Sequence, residues 1–317
     1  MNAIGGYFEL ELRKGEIYHK GAMALNTARN CFEYVLQARQ YTKVYIPYYT
    51  CEVMLEPIHK LKIEFEFYHI NELLEPVFLP KLEKKEAFLY TNYYGLKQDC
   101  VKCLAEVYGN QLIVDNAQAF FAEHLKGIDT FYSARKFFGV PDGAYLYTEK
   151  EQEQDFERDV SYNRMSHLLK RIDFGAEEGY CDFCNNDNAL CGQKIKKMSK
   201  LTESLLSGID YESAKQVRRD NYALLDKTLR ESNMIHLEMD DETVPMVYPY
   251  LSEDSMLRQK LIERKVFVAT YWPNVREWTS EEKLERTLVD RLVPLPIDYR
   301  YGKDEMESII RIVNCHN

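Results

Sequence analysis

Between residues 43 and 148 the chain alternates short apolar runs with longer stretches of helical period. Residues 43–47, 63–70, 87–92, 111–115, 128–133 and 144–148 are rich in β-branched and aromatic side chains and read as strands. Residues 50–61 and 100–108 read as helices, the first with a kink expected at Glu56-Pro57. Residues 27–40 form a further helix, opened by Asn26-Thr27, both good N-cap types. Upstream, residues 7–12 alternate like an edge strand. Strands separated by helices of about a dozen residues predict an α/β sheet, mostly parallel, with helices on both faces. In such sheets a ligand sits beyond the carboxyl ends of the strands.

The pattern changes after residue 148. Residues 149–232 are charged and helical in period, with a Gly/Asn-rich interruption at 175–188. A long helix is expected over 198–230, broken near Gly208. Residues 244–250, 254–265, 266–271 and 304–313 read as strand, helix, strand and closing helix, an α+β lobe. The expected division is a large domain of residues 1–220, including a helical segment 150–220, and a small C-terminal domain of residues 221–317.

A formal charge of −10 argues against nucleic acid or an anionic membrane as partner, since both reward clustered Lys and Arg. It leaves room for a phosphorylated small molecule in a local cationic pocket. No signal-peptide layout and no apolar run of membrane-spanning length is present, so a cytoplasmic protein is expected. Eight cysteines then read as reduced thiols. Cys100-x-x-Cys103 and Cys181-x-x-Cys184, with Cys191 nearby, have zinc-like spacing. The pairs are far apart and the first lies in a helical pattern, so no metal is expected.

The sharpest chemical signal is Leu112-Ile113-Val114-Asp115-Asn116-Ala117-Gln118 followed by Ser133-Ala134-Arg135-Lys136. It reads as a buried strand ending in an acid, then a second strand delivering a lysine. Pyridoxal phosphate enzymes need such a pair: a carboxylate against the pyridine nitrogen and an amine that reaches the aldehyde. The bland alternatives are an Asp115 that caps the following turn and a surface Lys136 beside Arg135 in a basic turn.

Several ordered blocks carry a resemblance. They are Lys43-Val44-Tyr45-Ile46-Pro47-Tyr48-Tyr49-Thr50, Asn92-Tyr93-Tyr94-Gly95, Val114-Asp115-Asn116-Ala117-Gln118, residues 133–143, Tyr271-Trp272-Pro273 and Leu295-Pro296-Ile297. Together they resemble the DegT-type nucleotide-sugar aminotransferases, a divergent member of the type I pyridoxal phosphate fold. The likeness spans most of the chain and is patchy between residues 150 and 200. It implies a mostly parallel seven-stranded sheet flanked by helices, with a smaller C-terminal α+β domain.

The resemblance makes Lys136 the Schiff-base lysine and Asp115 the partner of the ring nitrogen. Gln118 matches the glutamine that hydrogen-bonds the ring hydroxyl. Thr27, Ala28 and Arg29 occupy the phosphate-binding helix start, with Ser133 a second phosphate candidate. Cys51 stands in the block that would supply a stacking aromatic, so Tyr49 and Tyr94 become the candidate ring contacts. The Asp-to-Lys interval is shorter than usual, and Pro141-Asp142-Gly143-Ala144 replaces a more Gly-rich turn. Residues 162–166 and 195–199 both resemble the segment that reaches across a homodimer. Asn163, Arg164 and Tyr271 are the candidate substrate contacts. His124 and His167 read as structural. The implied activity is transamination of a keto sugar on a nucleotide diphosphate, with glutamate or a similar amino acid as donor, for polysaccharide or glycosylated-metabolite synthesis. Two rivals are a related sugar dehydratase, against which Lys136 counts because that class has histidine there, and a non-catalytic binding or regulatory homologue.

Overall fold

In the computed structural model, which describes residues 4–315, the apolar runs of the first half pair into one sheet. Its strands are β1 (Met23–Leu25), β2 (Lys43–Pro47), β3 (Glu64–Tyr68), β4 (Glu86–Thr91), β5 (Leu112–Asn116), β6 (Asp129–Ser133) and β7 (Ala144–Tyr147). They lie in the order β1-β7-β6-β5-β4-β2-β3. β3, β2, β4, β5 and β6 pair in parallel, while β7 is antiparallel to both β6 and β1. β1 therefore runs with the parallel set, and β7 alone is reversed.

Both faces are covered, as alternate side chains show. Val44, Ile46, Ala87, Leu89, Ile113 and Phe131 join one apolar cluster with helix α1 (Ala28–Arg39) and α2 (Leu55–Leu61). Their neighbours Tyr45, Phe88, Tyr90, Leu112, Val114 and Tyr132 join a second cluster on the other face. That cluster takes in α3 (Gln98–Tyr108) and continues into the C-terminal half as far as Val313.

The remaining helices are α4 (Ser166–Asp173), α5 (Tyr180–Ala189), α6 (Lys200–Ser207), α7 (Tyr211–Leu229), α8 (Leu257–Glu263), α9 (Val275–Trp278), α10 (Leu284–Arg291) and α11 (Lys303–Asn314). The expected break near Gly208 separates α6 from α7, and the new helix starts on an Asp210 cap whose side chain accepts from the Ser213 N–H. α7 packs against α11 and β8 (Val247–Leu251), and β8 pairs antiparallel with β9 (Leu292–Pro296).

Four expectations about elements fail. Residues 7–12 form no strand: Tyr7 is 98% exposed, and the edge beside β7 belongs to the three-residue β1. Residues 50–61 divide into a 3₁₀ turn (Glu52–Met54) and α2 without a kink at Pro57. Pro57 is the third residue of α2, where the missing N–H has no intrahelical acceptor to lose. The supposed interruption at 175–188 contains α5, because its asparagines are tolerated on a largely exposed helix. Residues 266–271 form no strand. The partner of β8 is β9, whose Pro294 and Pro296 disguised it; a two-stranded ribbon leaves its prolines room at an edge.

Candidate active site

Because β1, β2, β4, β5 and β6 share one direction, their carboxyl ends form a single edge, and the candidate residues collect there. Thr27 follows β1, Tyr49 and Cys51 follow β2, and Tyr94 follows β4. Asp115 is the penultimate residue of β5, with Gln118 just beyond. Ser133 ends β6, and Lys136 sits not on a strand but on the 3₁₀ turn after it (Ala134–Lys136). That turn is tied to the start of β7, since the Ala134 N–H donates to the Gly143 carbonyl and the Gly143 N–H donates to Asn26. Gly143 has φ +116°, and a Cβ there would lie 2.8 Å from Thr202 Cγ2. The turn thus requires glycine on both conformational and steric grounds.

Asp115 is buried, and its Oδ1 accepts a hydrogen bond from the Ala117 N–H at 2.8 Å. Burial pushes its carboxyl above the usual range. The Lys136 ammonium is the larger opposing influence, ahead of the Ala117 N–H. Lys136 acts on Asp115 through its charge; among the described residues no ion pair joins the two, and Asp115 is not among the residues lining the cavity that Lys136 enters. Gln118 is fully buried; its Oε1 accepts from the Tyr94 N–H at 3.1 Å, and its Nε2 has no partner among the described residues. A buried amide N–H₂ left free is costly unless a ligand receives it.

Lys136 enters a cavity of about 1080 Å³. Its Nζ lies 6.0 Å from the centre of the Tyr271 ring and 5.7 Å from that of Trp272. Burial lifts the Tyr271 hydroxyl to about 12, which keeps it protonated. Arg135 turns away from its neighbour to pair with Asp187 at 2.5 Å. Cys51 is half-buried, and burial raises its thiol against the opposing charges of Lys136 and Arg29.

At that helix start Thr27 Oγ1 accepts from the Asn30 N–H at 3.1 Å, and the Cys31 N–H reaches the Thr27 carbonyl. The N–H groups of Ala28 and Arg29 have no intrahelical acceptor, as first-turn donors do not. The Arg29 side chain pairs with Glu56 at 2.8 Å, so its charge is already matched and does not face solvent freely. Ser133 is buried at the end of β6.

Tyr49 and Tyr94 are both fully buried, with their hydroxyls 3.0 Å apart. Tyr94 occupies left-handed backbone, φ +58°, at a cost of about 1 kcal/mol for a bulky residue. Tyr49 meets Trp272 edge-on at 5.1 Å between ring centres, and Tyr94 lies 6.2 Å from Tyr271. The four rings pack against one another, and none of them is among the residues lining the cavity that Lys136 enters.

The two segments that the sequence left unresolved pack together. Arg164 donates to Asp159 at 2.6 Å, and Lys196 lies 3.6 Å from the same carboxylate. The Ser161 and Ser199 hydroxyls are 2.7 Å apart. Asn163 is exposed, so within this chain neither Asn163 nor Arg164 joins the lining of the cavity that Lys136 enters.

Three residues of this region escaped the sequence reading as site components. Trp272 was visible as part of a motif, yet only folding brings it to Lys136. His167 reads as structural in the sequence, and it lines the Lys136 cavity. Arg218 reads as one charge among many on α7, and it is buried on the cavity wall. Among the described residues no three His, Cys, Asp or Glu side chains gather into a metal set. Cys100 and Cys103 lie on α3, and Cys181 and Cys184 on α5.

The sequence matches no protein-family model and no curated protein. The fold has many counterparts among solved structures. Sugar aminotransferase CalS13 from Micromonospora echinospora superposes with a TM-score of 0.65 at 14% identity, over 93% of this chain and 87% of that one. A DegT DnrJ EryC1 StrS aminotransferase from Brucella abortus gives 0.61 at 14% identity, over 94% and 86%. The putative sugar aminotransferase Spr1654 from Streptococcus pneumoniae, in a PLP-form, gives 0.62 at 14% identity, over 93% and 86%. Likeness at this identity establishes a shared fold, the α/β sheet expected from the sequence.

Proposed function

We propose that this protein is a pyridoxal phosphate-dependent aminotransferase that acts on a keto sugar, carried on a nucleotide diphosphate, with a glutamate-like amino donor. The observation that carries this reading is a desolvated Asp115 carboxylate at the carboxyl edge of the sheet, with the Lys136 charge as the largest influence opposing its burial. The structural counterparts add support, since several are sugar aminotransferases and Spr1654 is known in both PLP- and PMP-forms.

The residues present fit the cofactor. Asp115 would hold a proton at the pyridine nitrogen, which returns to the carboxylate the counter-charge that burial has removed. The free Nε2 of Gln118 would donate to the ring hydroxyl. Thr27 and the first N–H groups of α1 would receive the phosphate, with Ser133 beside them. When bound, the cofactor supplies an aldehyde and an electron-accepting ring. Lys136 Nζ would take a proton from the donor's α-carbon and return it at the opposite end of the transfer. Tyr49, Tyr94, Tyr271 and Trp272 would exclude water from that proton's path.

A homodimer fits the exposed apolar side chains of Ile172, Tyr180 and Phe183 on the cavity lining. Eight unpaired cysteines suit the cytoplasm, and no helix among the described residues is long and apolar enough to cross a membrane.

The test is direct. Protein reconstituted with pyridoxal phosphate should show a visible absorption band, and borohydride should bleach it and fix the cofactor's mass on the Lys136 peptide. Nucleotide-linked keto hexoses should then be aminated over many turnovers at the expense of glutamate. A protein that takes up no cofactor, or that takes it up and never turns over, refutes the reading.

A further inference from the structure

Each Cys-x-x-Cys pair falls near the start of a helix, and neither has a part in the site described above. In α3 that start is held. The Lys97 N–H donates to Asn92 Oδ1 at 2.9 Å, the Asn92 amide donates to Gln98 at 3.0 Å, and Gln98 donates to the Glu123 carbonyl at 3.0 Å. Burial lifts the Cys100 thiol to about 11, which keeps it protonated. In α5 the start is loose. Cys181 is the second residue of the helix and is exposed, while Cys184 is half-buried. Gly179 at the N-cap supplies no side-chain cap, and Gly175 upstream has φ +103°. The later turns are fastened: Asp187 pairs with Arg135 at 2.5 Å, and Asn186 Nδ2 donates to the Pro141 carbonyl at 2.9 Å. Asp182 in the first turn has only a solvent-exposed ion pair with Lys170, a weak restraint. Gly179, Tyr180 and Phe183 around that turn line the cavity that Lys136 enters.

We propose that Cys181 and Cys184 form a reversible dithiol–disulfide switch in the wall of that cavity. This does not depend on the aminotransferase reading. On a regular helix, side chains three apart have Cβ atoms about 5–6 Å apart, whereas a disulfide needs about 3.5–4.5 Å. The bond therefore closes only when the first turn opens, and the fastened later turns confine that movement to residues 175–184. A strained, exposed disulfide is readily reduced again, which suits a thiol-rich compartment. The oxidant is a low-molecular-weight disulfide such as glutathione disulfide. The Cys181 thiolate attacks one of its sulfurs, expels one glutathione thiolate and leaves a mixed disulfide. The Cys184 thiolate then attacks Cys181 Sγ and expels the second. The two protons given up by the cysteines end on the two departing thiolates, so the protein loses two electrons and the oxidant gains them. Closure also draws the Cys184 thiol away from the Tyr180 hydroxyl, with which it interacts in the reduced form.

The experiment equilibrates the full chain in glutathione buffers of rising disulfide fraction, quenches with acid and alkylates the remaining thiols. Intact mass and peptide mapping then locate each bond. A disulfide between Cys181 and Cys184 should form with the loss of two hydrogens, and excess reduced glutathione should open it. Cys100 and Cys103 should remain alkylated throughout, and Cys181→Ser or Cys184→Ser should abolish the bond. Amide hydrogen exchange should be faster across residues 175–184 in the oxidised form and equal in the two forms across α3. Failure to form the 181–184 bond at any glutathione ratio overturns the proposal, as does preferential bonding of Cys100 to Cys103. A 181–184 bond that leaves exchange across residues 175–184 unchanged also overturns it, because the cavity wall then does not respond. Wild type alone decides all three outcomes, so a serine variant that fails to fold alters none of them.

Discussion

Asp115 and Asp142 are both buried aspartates in the same half of the molecule, and their surroundings are opposite. Asp142 accepts from the Ser199 N–H at 2.8 Å and the Ser199 hydroxyl at 2.7 Å, and also from the Thr202 hydroxyl. It closes the joint between the turn before β7 and the start of α6. Asp115 accepts from one N–H, and its strongest favourable charge is the amine of Lys136. A carboxylate placed to hold a fold together is surrounded by donors. One placed to meet a ligand is left short of them, and its stability cost is carried by the rest of the structure.

The strongest way to break this contrast is at Lys136. Lys136→Ala should lower amino transfer by about 10³-fold or more while leaving the melting temperature nearly unchanged, because the side chain is exposed and makes no structural bond. A variant that unfolds would put Lys136 with the structural residues. Next comes Asp142→Ala, which strands the Ser199 and Thr202 donors and should cost about 3 kcal/mol in denaturant unfolding. Cofactor affinity measured in the surviving folded fraction should be close to wild type.

Asp115→Asn sharpens the comparison through opposite effects on stability and binding. Cofactor affinity should fall about tenfold or more, since the pyridinium loses its counter-charge. The cofactor-free protein should become slightly more stable at neutral pH, with a melting temperature higher by about 2 °C. The sign follows from linkage. The raised native pKa means the folded state holds more protons than the unfolded one above the ordinary carboxylate value. Stability therefore falls as pH rises through that window, and Asn removes the loss. A destabilised apo variant would contradict the desolvation account.

His19 is a purely structural group in this contrast, and its effect is seen only as the solution is acidified. Its ring is buried among Tyr132, Tyr145 and Phe120, Nε2–H donates to the Phe120 carbonyl at 2.8 Å, and burial depresses its pKa to about 3. The unfolded chain binds the proton that the folded one refuses. Its contribution is intact above about pH 6.5 and is lost as pH falls toward 3, at a limiting slope of about 1.4 kcal/mol per unit. Unfolding measured from pH 7 to 4 should show a shallower slope in His19→Gln; an unchanged slope would assign the acid sensitivity elsewhere.

The sequence by itself determined six of the seven strands of the large sheet, all but β1, and the order in which its chemistry is delivered. Apolar runs rich in β-branched and aromatic residues and the Thr27 cap are local, and local patterns are written in neighbouring residues. For the same reason Asp115, Gln118 and Lys136 were legible as candidates, each at or just after the end of an apolar run. What only the tertiary structure decided is what meets across long separations. β7 runs against its neighbours, Trp272 and Tyr271 come to Lys136, residues 162–166 meet 195–199, and Arg218 is buried without a counter-ion while Arg300 keeps one. An arginine on a helix looks the same in sequence whether it is solvated, paired or stranded. The difference is the low-dielectric surrounding that packing builds around it.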